Sequence, residues 1–159
     1  MKVLIISDTH GRDINIDSVL EKEKELDMLI HLGDIEGSEG YIESVSGCPC
    51  EMVRGNNDYF SSLPAEKVIN IGKYKALLTH GHYYNVSVEL RSIVMEAVER
   101  NVDIVMFGHI HRPVLEKING VTVLNPGSLS LPRQADHKRS YIIMGIDDAE
   151  KVSYEIKYL

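Results

Sequence analysis

Short apolar runs, each ended by a cluster of charged, amide or histidine residues, recur along the first two thirds of the chain. Lys2 to Ile6 reads as a strand, followed by a helix over Ile16 to Leu26 with Ile16, Val19, Leu20 and Leu26 on one face, then a strand from Met28 to Leu32. This is the start of a βαβ arrangement. A short helix near Tyr41 to Val45 leads to a strand at Glu51 to Arg54, and Lys67 to Ile71 pairs with Lys75 to Thr79 across Gly72-Lys73-Tyr74. The apolar stripe Val86, Leu90, Ile93, Val94, Ala97 and Val98 predicts a helix over Val86 to Arg100, and Asp103 to Phe107 follows as a strand.

The last third changes character. Val114 to Ile118 and Val121 to Leu124 flank Asn119-Gly120, a type I′ hairpin signal, and Tyr141 to Ile146 with Val152 to Tyr158 form a closing β pair. The chain is therefore α/β at its start and mostly β at its end. With 159 residues and no internal repeat, low-complexity stretch or linker, residues 1–159 are expected to form a single domain.

Composition narrows the classes. No segment approaches the ~20 apolar residues that span a bilayer, and Val3 to Ile6 is too short for a secretory signal, so no membrane association and a cytoplasmic location are expected. A formal net charge of −7 argues against an extended nucleic-acid surface. Cys48-Pro49-Cys50 has neither a redox Cys-x-x-C spacing nor the second pair of a zinc ribbon, and both cysteines read as ordinary reduced thiols.

The chemistry lies in what ends the runs. Asp8-x-His10 follows Val3 to Ile6, Gly33-Asp34 follows Met28 to Leu32, and Gly55-Asn56-Asn57-Asp58 follows Glu51 to Arg54. His80-Gly81-His82 follows Ala76 to Thr79, and Gly108-His109-x-His111 follows Ile104 to Phe107. In an open α/β sheet ligands bind beyond the carboxyl ends of the strands, so the five clusters are expected to converge on one crevice. Five of the seven histidines lie in them. Imidazole and carboxylate suit Mn, Fe, Zn, Co or Ni. Residues two apart in an extended segment share a side, which would let Asp8 with His10, and His109 with His111, both reach inward. The candidates exceed the four that fill one tetrahedral site, so two ions about 3.5–4 Å apart fit better than one. Two divalent cations held by Asp8 and Asp34 leave about two surplus positive charges, a site for an anion such as phosphate. Taken singly, any of these histidines reads as well as a hydrogen-bonded core or surface residue.

Taken in order, Asp8-x-His10, Gly33-Asp34, Gly55-Asn56-x-Asp58, His80-Gly81-His82 and Gly108-His109-x-His111 resemble the calcineurin-like metallophosphoesterase superfamily. The opening "MKVLIISDTHG" and "NPGS" at Asn125 to Ser128 look most like its small YfcE-type phosphodiesterase branch, over nearly the whole chain. The resemblance implies a four-layer α/β/β/α sandwich of two mixed sheets flanked by helices. It implies that Asp8, His10 and His111 hold a first metal, that Asn56, His80 and His109 hold a second, and that Asp34 bridges them. The implied activity is phosphodiester hydrolysis by attack of a metal-bound hydroxide on phosphorus, with manganese placed first among the ions. The implied substrate is a small anionic phosphodiester, from a small molecule or a nucleotide.

Asn57 stands where many members carry histidine, and an amide cannot release a proton to a leaving alkoxide. Asp34, Asn56, Asn57 and His82 are the expected catalytic residues, and His82 or a water would supply the proton that Asn57 cannot. Asp58 is expected to orient a histidine ligand. His31 reads as a satisfied interior histidine, His137 as a surface residue, and Arg133 as a loop arginine that could reach an anion. The alternatives are a non-catalytic scaffold like the retromer subunit of the same fold, and a phosphomonoesterase. Exposed apolar surface could support a homodimer or homotetramer.

Overall fold

A computed structural model describes residues 1–159. Ten strands and three α-helices succeed one another as β1 (Lys2–Ile6), α1 (Ile14–Lys22), β2 (Met28–His31), α2 (Glu39–Ser46), β3 (Cys50–Met52), β4 (Glu66–Ile71) and β5 (Tyr74–Thr79). They continue as α3 (Arg91–Glu99), β6 (Ile104–Met106), β7 (Pro113–Ile118), β8 (Val121–Pro126), β9 (Ser140–Ile146) and β10 (Val152–Tyr158). Two five-stranded sheets result, ordered β10-β9-β1-β2-β3 and β4-β5-β6-β8-β7. Each has three parallel strands, β1, β2, β3 in one and β5, β6, β8 in the other, with antiparallel strands completing it.

Strand alternation explains why the apolar runs are uninterrupted. On β1, Val3 and Ile5 face the other sheet and pack with Leu78, Met106 and Leu124, whereas Leu4 and Ile6 face outward onto Ile16 and Val19 of α1 and Ile42 of α2. The second sheet repeats the scheme: Ala76 and Leu78 face inward, while Leu77 and Val105 pack under Ile93, Val94 and Ala97 of α3. Every central strand is thus covered on both faces, as parallel strands require, and the architecture is the expected α/β/β/α sandwich.

Two helices differ from the sequence pattern. The first spans Ile14 to Lys22 rather than Ile16 to Leu26, because Glu23 leaves the helix, with ψ of 69°. The Glu23 side chain is 4% exposed and receives Lys2 at 3.0 Å, Lys157 at 2.5 Å and the Tyr141 hydroxyl at 2.9 Å. This tie between the end of α1 and strands β1, β9 and β10 ends the helix without a glycine. Leu26 still packs on the outer core from the following turn. The third helix begins at Arg91 rather than Val86, since His82–Tyr84 form a 3₁₀ turn and Asn85 takes φ of 54°. Val86 and Leu90 nevertheless belong to the apolar cluster that α3 covers. The hairpin after β7 is as expected, with Asn119 and Gly120 both at positive φ.

Burial alone would raise the Glu23 carboxyl pKa, but Lys157, Lys2 and Tyr141 outweigh it and hold it below the ordinary value of 4.5. Its stabilisation is therefore fully present above pH 4.5 and lost as pH falls. We expect Glu23→Gln to cost about 1–3 kcal/mol in urea unfolding at pH 7, because two lysines lose their charge partner. The difference from wild type should narrow below pH 4.5.

Candidate metal centre

The carboxyl ends of the six parallel strands meet at one edge of the sandwich. The segment after β1 runs beside the segment after β2, where the backbone N–H groups of Asp8, His10 and Gly11 donate to the carbonyls of Gly33, Asp34 and Ile35 at 3.0, 3.0 and 3.2 Å. Asp8, His10, Asp34, His109 and His111 all take φ between 48° and 71°. Non-glycine residues rarely adopt this region, at a cost of about 1–3 kcal/mol each, so the surrounding contacts must hold them there. The expectation that Asp8 with His10, and His109 with His111, point inward through extended alternation is thus corrected. Left-handed kinks beyond the strand ends aim these side chains.

Close backbone packing beneath Asp34 leaves room only for glycine. A Cβ on Gly33, which has φ of 96°, would stand 2.6 Å from the Gly55 nitrogen and 2.8 Å from His80 Nδ1. One on Gly55 would run into the Asp34 carboxylate.

Ligand atoms of Asp8, His10, Asp34 and His111 lie within 4.8 Å of one another. His111 Nε2 is 3.0 Å from Asp8 Oδ1, and Asp34 Oδ2 lies 3.4 Å from His80 Nε2 and 3.9 Å from His10 Nε2. His109 is edge-on to His80 with ring centroids 5.2 Å apart, and its backbone N–H donates to Asp8 Oδ2 at 3.1 Å. Asn56 lies on the segment after β3, beside His82 at the wall of the same crevice. The structure therefore brings together Asp8, His10, Asp34, His80, His109 and His111, with Asn56 and His82 at their margin.

Hydrogen bonds orient three of the histidines, His10, His80 and His111. His80 Nδ1 donates to the Leu32 carbonyl and His111 Nδ1 to the Leu131 carbonyl, both at 2.7 Å, and His10 Nδ1 meets Glu36 Oε1 at 2.6 Å. Each arrangement engages Nδ1 and turns Nε2 toward the crevice, the nitrogen that would bind a metal once deprotonated. His80 Nε2 and Asn56 Oδ1 are buried without a hydrogen-bond partner. Unsatisfied acceptors among carboxylates, in a crevice with imidazole and carboxylate donors, fit divalent first-row metals.

Charge is coupled across the site. Burial raises the Asp34 pKa, but His80 and the Asn57 backbone and side-chain amides reverse this and hold the carboxyl far below its usual range. Asp8 is likewise held low against its burial by His111 and His80. Burial would lower His80, yet Asp34 and Asp8 raise it. His82 and His109 are lowered, first by burial and then by the charge on His80.

Asn57 binds Asp34 twice, its backbone N–H to Oδ1 at 2.9 Å and its amide to Oδ2 at 2.7 Å. The expectation that Asp58 orients a histidine ligand is corrected. The Asp58 oxygens accept the backbone N–H groups of Ile35, Glu36 and Gly55 at 2.7–2.8 Å, tying the segments after β2 and β3 together. Sequence reasoning assigned no site role to Asn125, Ser128 or Ser130 at the end of β8, although the strand-end rule points there too. Asn125 Nδ2 donates to the Gly108 carbonyl at 2.5 Å, and the Ser128 and Ser130 hydroxyls both donate to the Asp8 carbonyl, at 2.7 and 2.9 Å. Arg133 is exposed, its backbone N–H on the His111 carbonyl, and His137 is exposed as expected.

His31 is fully buried on β2, with Nε2 3.0 Å from Thr9 Oγ1 and Nδ1 accepting the Gly33 N–H at 3.2 Å, a satisfied interior histidine as expected. Burial pushes its pKa from 6.5 to about 4. Its contribution is present above pH 6.5 and lost as the pH falls to about 4, because the unfolded chain takes up the proton first. In metal-free protein, His31→Gln should flatten the pH dependence of unfolding free energy in this window by up to ~1.4 kcal/mol per pH unit. An unchanged slope would reassign the titration to another group.

Comparison with known proteins matches residues 1–149 to the calcineurin-like phosphoesterase superfamily domain. The chain is 34% identical over 158 residues to "Probable metallophosphoesterase YsnB" of Bacillus subtilis (strain 168), covering 97% of this chain and 90% of that protein. It is 28% identical over 173 residues to "Phosphodiesterase MJ0936" of Methanocaldococcus jannaschii, covering 97% and 96%. Among solved structures, a predicted phosphoesterase from Streptococcus pneumoniae TIGR4 superposes with a TM-score of 0.81 at 25% identity, covering 99% and 97%. Vps29 of Entamoeba histolytica, in complex with Zn²⁺, does so with 0.78 at 23% identity, covering 99% of each chain, a likeness of fold.

Proposed function

The chain belongs to the calcineurin-like phosphoesterase superfamily, and on that premise we propose that it is a dinuclear metal-dependent phosphodiesterase of small-molecule or nucleotide phosphodiesters. That it is a metallophosphoesterase follows from the family; the second ion, the diester preference and the substrate class belong to the proposal. The observation that carries it is the position of Asp34 Oδ2 between His10 Nε2 and His80 Nε2. One carboxylate oxygen is thereby shared by two groups of donors.

In this reading Asp8, His10 and His111 hold one ion, Asn56, His80 and His109 the other, and Asp34 serves both. Bound divalent ions supply Lewis acidity toward phosphoryl oxygens and lower the pKa of water toward ~7. The chain's own residues set the terms. Carbonyl and carboxylate partners on Nδ1 keep the imidazoles in one tautomer and orientation, so little reorganisation accompanies substrate entry. Asn57 donates hydrogen bonds without releasing a proton, and His82, whose pKa is lowered, is neutral at physiological pH. Neither is a strong proton donor, which favours esters whose leaving groups depart as stable anions.

Manganese is the proposed native ion, and the cytoplasm the proposed compartment, compatible with two free cysteines whose thiol pKa values burial raises. No helix is long and apolar enough to cross a membrane. The rival reading is a scaffold like the retromer subunit, for which a complete ligand set would be unnecessary; all seven ligand positions here carry metal-binding side chains.

The test is hydrolysis of bis(p-nitrophenyl) phosphate and p-nitrophenyl phosphate by chelator-stripped protein, before and after addition of Mn²⁺, Fe²⁺, Zn²⁺, Ni²⁺ or Co²⁺. The expected result is turnover that requires metal and favours the diester. Preference for the monoester would replace the diesterase by a phosphomonoesterase, and no turnover with any ion would favour the scaffold.

A further inference from the structure

Beside the metal centre lies a cavity of about 290 Å³ whose lining includes Asn56 and His82 together with Arg54, Tyr59 and Tyr83. Its position is specific: Asn56 belongs to the proposed ligand set, so anything filling the cavity abuts the reacting phosphate. The volume is near the lower end of ligand sites, about 300–1,000 Å³. Tyr59 and Tyr83 are 80% and 66% exposed, and the His82 and Tyr83 rings lie 4.0 Å apart at 40°. Arg54 is exposed and takes part in none of the chain's ion pairs. His82 Nδ1 is buried without a hydrogen-bond partner. Asp58, the carboxylate on this wall, is committed to three backbone N–H groups.

Resting on the phosphodiesterase reading, we infer that Arg54, Tyr59 and Tyr83 form a subsite for an aromatic, nucleobase-like ester substituent, so that the preferred substrates are nucleotidyl phosphodiesters. Two phenol rings and a planar guanidinium offer faces on which a base stacks, and such stacking is tolerant of base identity. Electrostatics selects this side. A neighbouring cavity of about 470 Å³, also bounded by Tyr59, is lined by Glu36 and Glu39, which repel a phosphodiester anion, whereas the Arg54 side attracts it. These residues act on binding and not on the bond being broken, so their effect should appear in affinity and in KM.

The probes are thymidine 5′-monophosphate and methyl phosphate, titrated calorimetrically into Mn²⁺-loaded wild type and a Tyr59→Ala/Tyr83→Ala variant, with Arg54→Ala alongside. Both tyrosines are exposed, so the variant should fold. The nucleotide should bind about tenfold or more tightly than methyl phosphate, a margin the double variant loses while its methyl phosphate affinity is unchanged. Equal affinities in wild type, or a margin that survives in the variant, would overturn the inference. Hydrolysis of methyl p-nitrophenyl phosphate separates the two readings. Turnover without nucleotide preference removes the subsite alone, and nucleotide preference without turnover removes the diesterase and leaves the subsite.

Discussion

Asp34→Asn should lower metal-dependent diester hydrolysis by on the order of 10³-fold while leaving the fold intact. Asp34 is 2% exposed, and its Oδ2 lies within 4 Å of ring nitrogens from two different strand ends. The substitution keeps shape and one acceptor oxygen but deletes a charge, and it turns an amide toward Asn57 Nδ2, which then faces another donor. A neutral residue there weakens attraction for both proposed ions, and metal affinity should fall about 10–100-fold or more. Metal titration followed by calorimetry, circular dichroism and diester assays measures the three quantities separately. Activity within threefold of wild type, with folding preserved, would remove Asp34 from the ligand set and with it the shared-carboxylate arrangement.

Asn57→His is expected to act in the opposite direction, and selectively. An imidazolium can protonate a departing alkoxide, an assistance worth about 10²–10⁴-fold where geometry is favourable. Across aryl and alkyl methyl phosphates, the variant should gain about 10–100-fold on the poorest leaving groups and change little on p-nitrophenolate. The dependence of log kcat/KM on leaving-group pKa would become shallower. The structure supplies a competing demand, because the Asn57 amide donates to Asp34 Oδ2 at 2.7 Å and the imidazole must either keep that hydrogen bond or reach the leaving group. A uniform change over the whole series would assign Asn57 to positioning Asp34 instead.

Much of this site is legible in one dimension, for a physical reason. Parallel strands buried on both faces need continuous apolar runs, so a residue such as Asp8 or His109, two positions beyond a run, marks a strand's carboxyl end. Five such ends, each with metal-binding side chains, leave few arrangements in which the residues do not converge. The same periodicity separated His31 from its neighbours, because a histidine inside β2 faces packed side chains and not the crevice. Local turn chemistry was equally readable at Asn119-Gly120, where both residues adopt the positive φ that their types tolerate.

What the pattern did not carry was decided by contacts between residues far apart in the chain. Asp58 is followed by no local signal that its carboxylate serves the backbone of Ile35 and Glu36, 22 or more positions earlier. Helix α1 ends where Glu23 finds Lys157 and Tyr141, more than a hundred positions away, and helical periodicity alone runs past that point to Leu26. Ser128 and Ser130 reach Asp8 only because β8 ends beside β1 once the sheets are packed. The sequence by itself thus determined the kinds of donor, their order and the strand ends that bear them, because burial and turn preference act locally. The tertiary structure alone decided which donors meet, through which nitrogen, and from the strained left-handed backbone that only long-range packing can maintain.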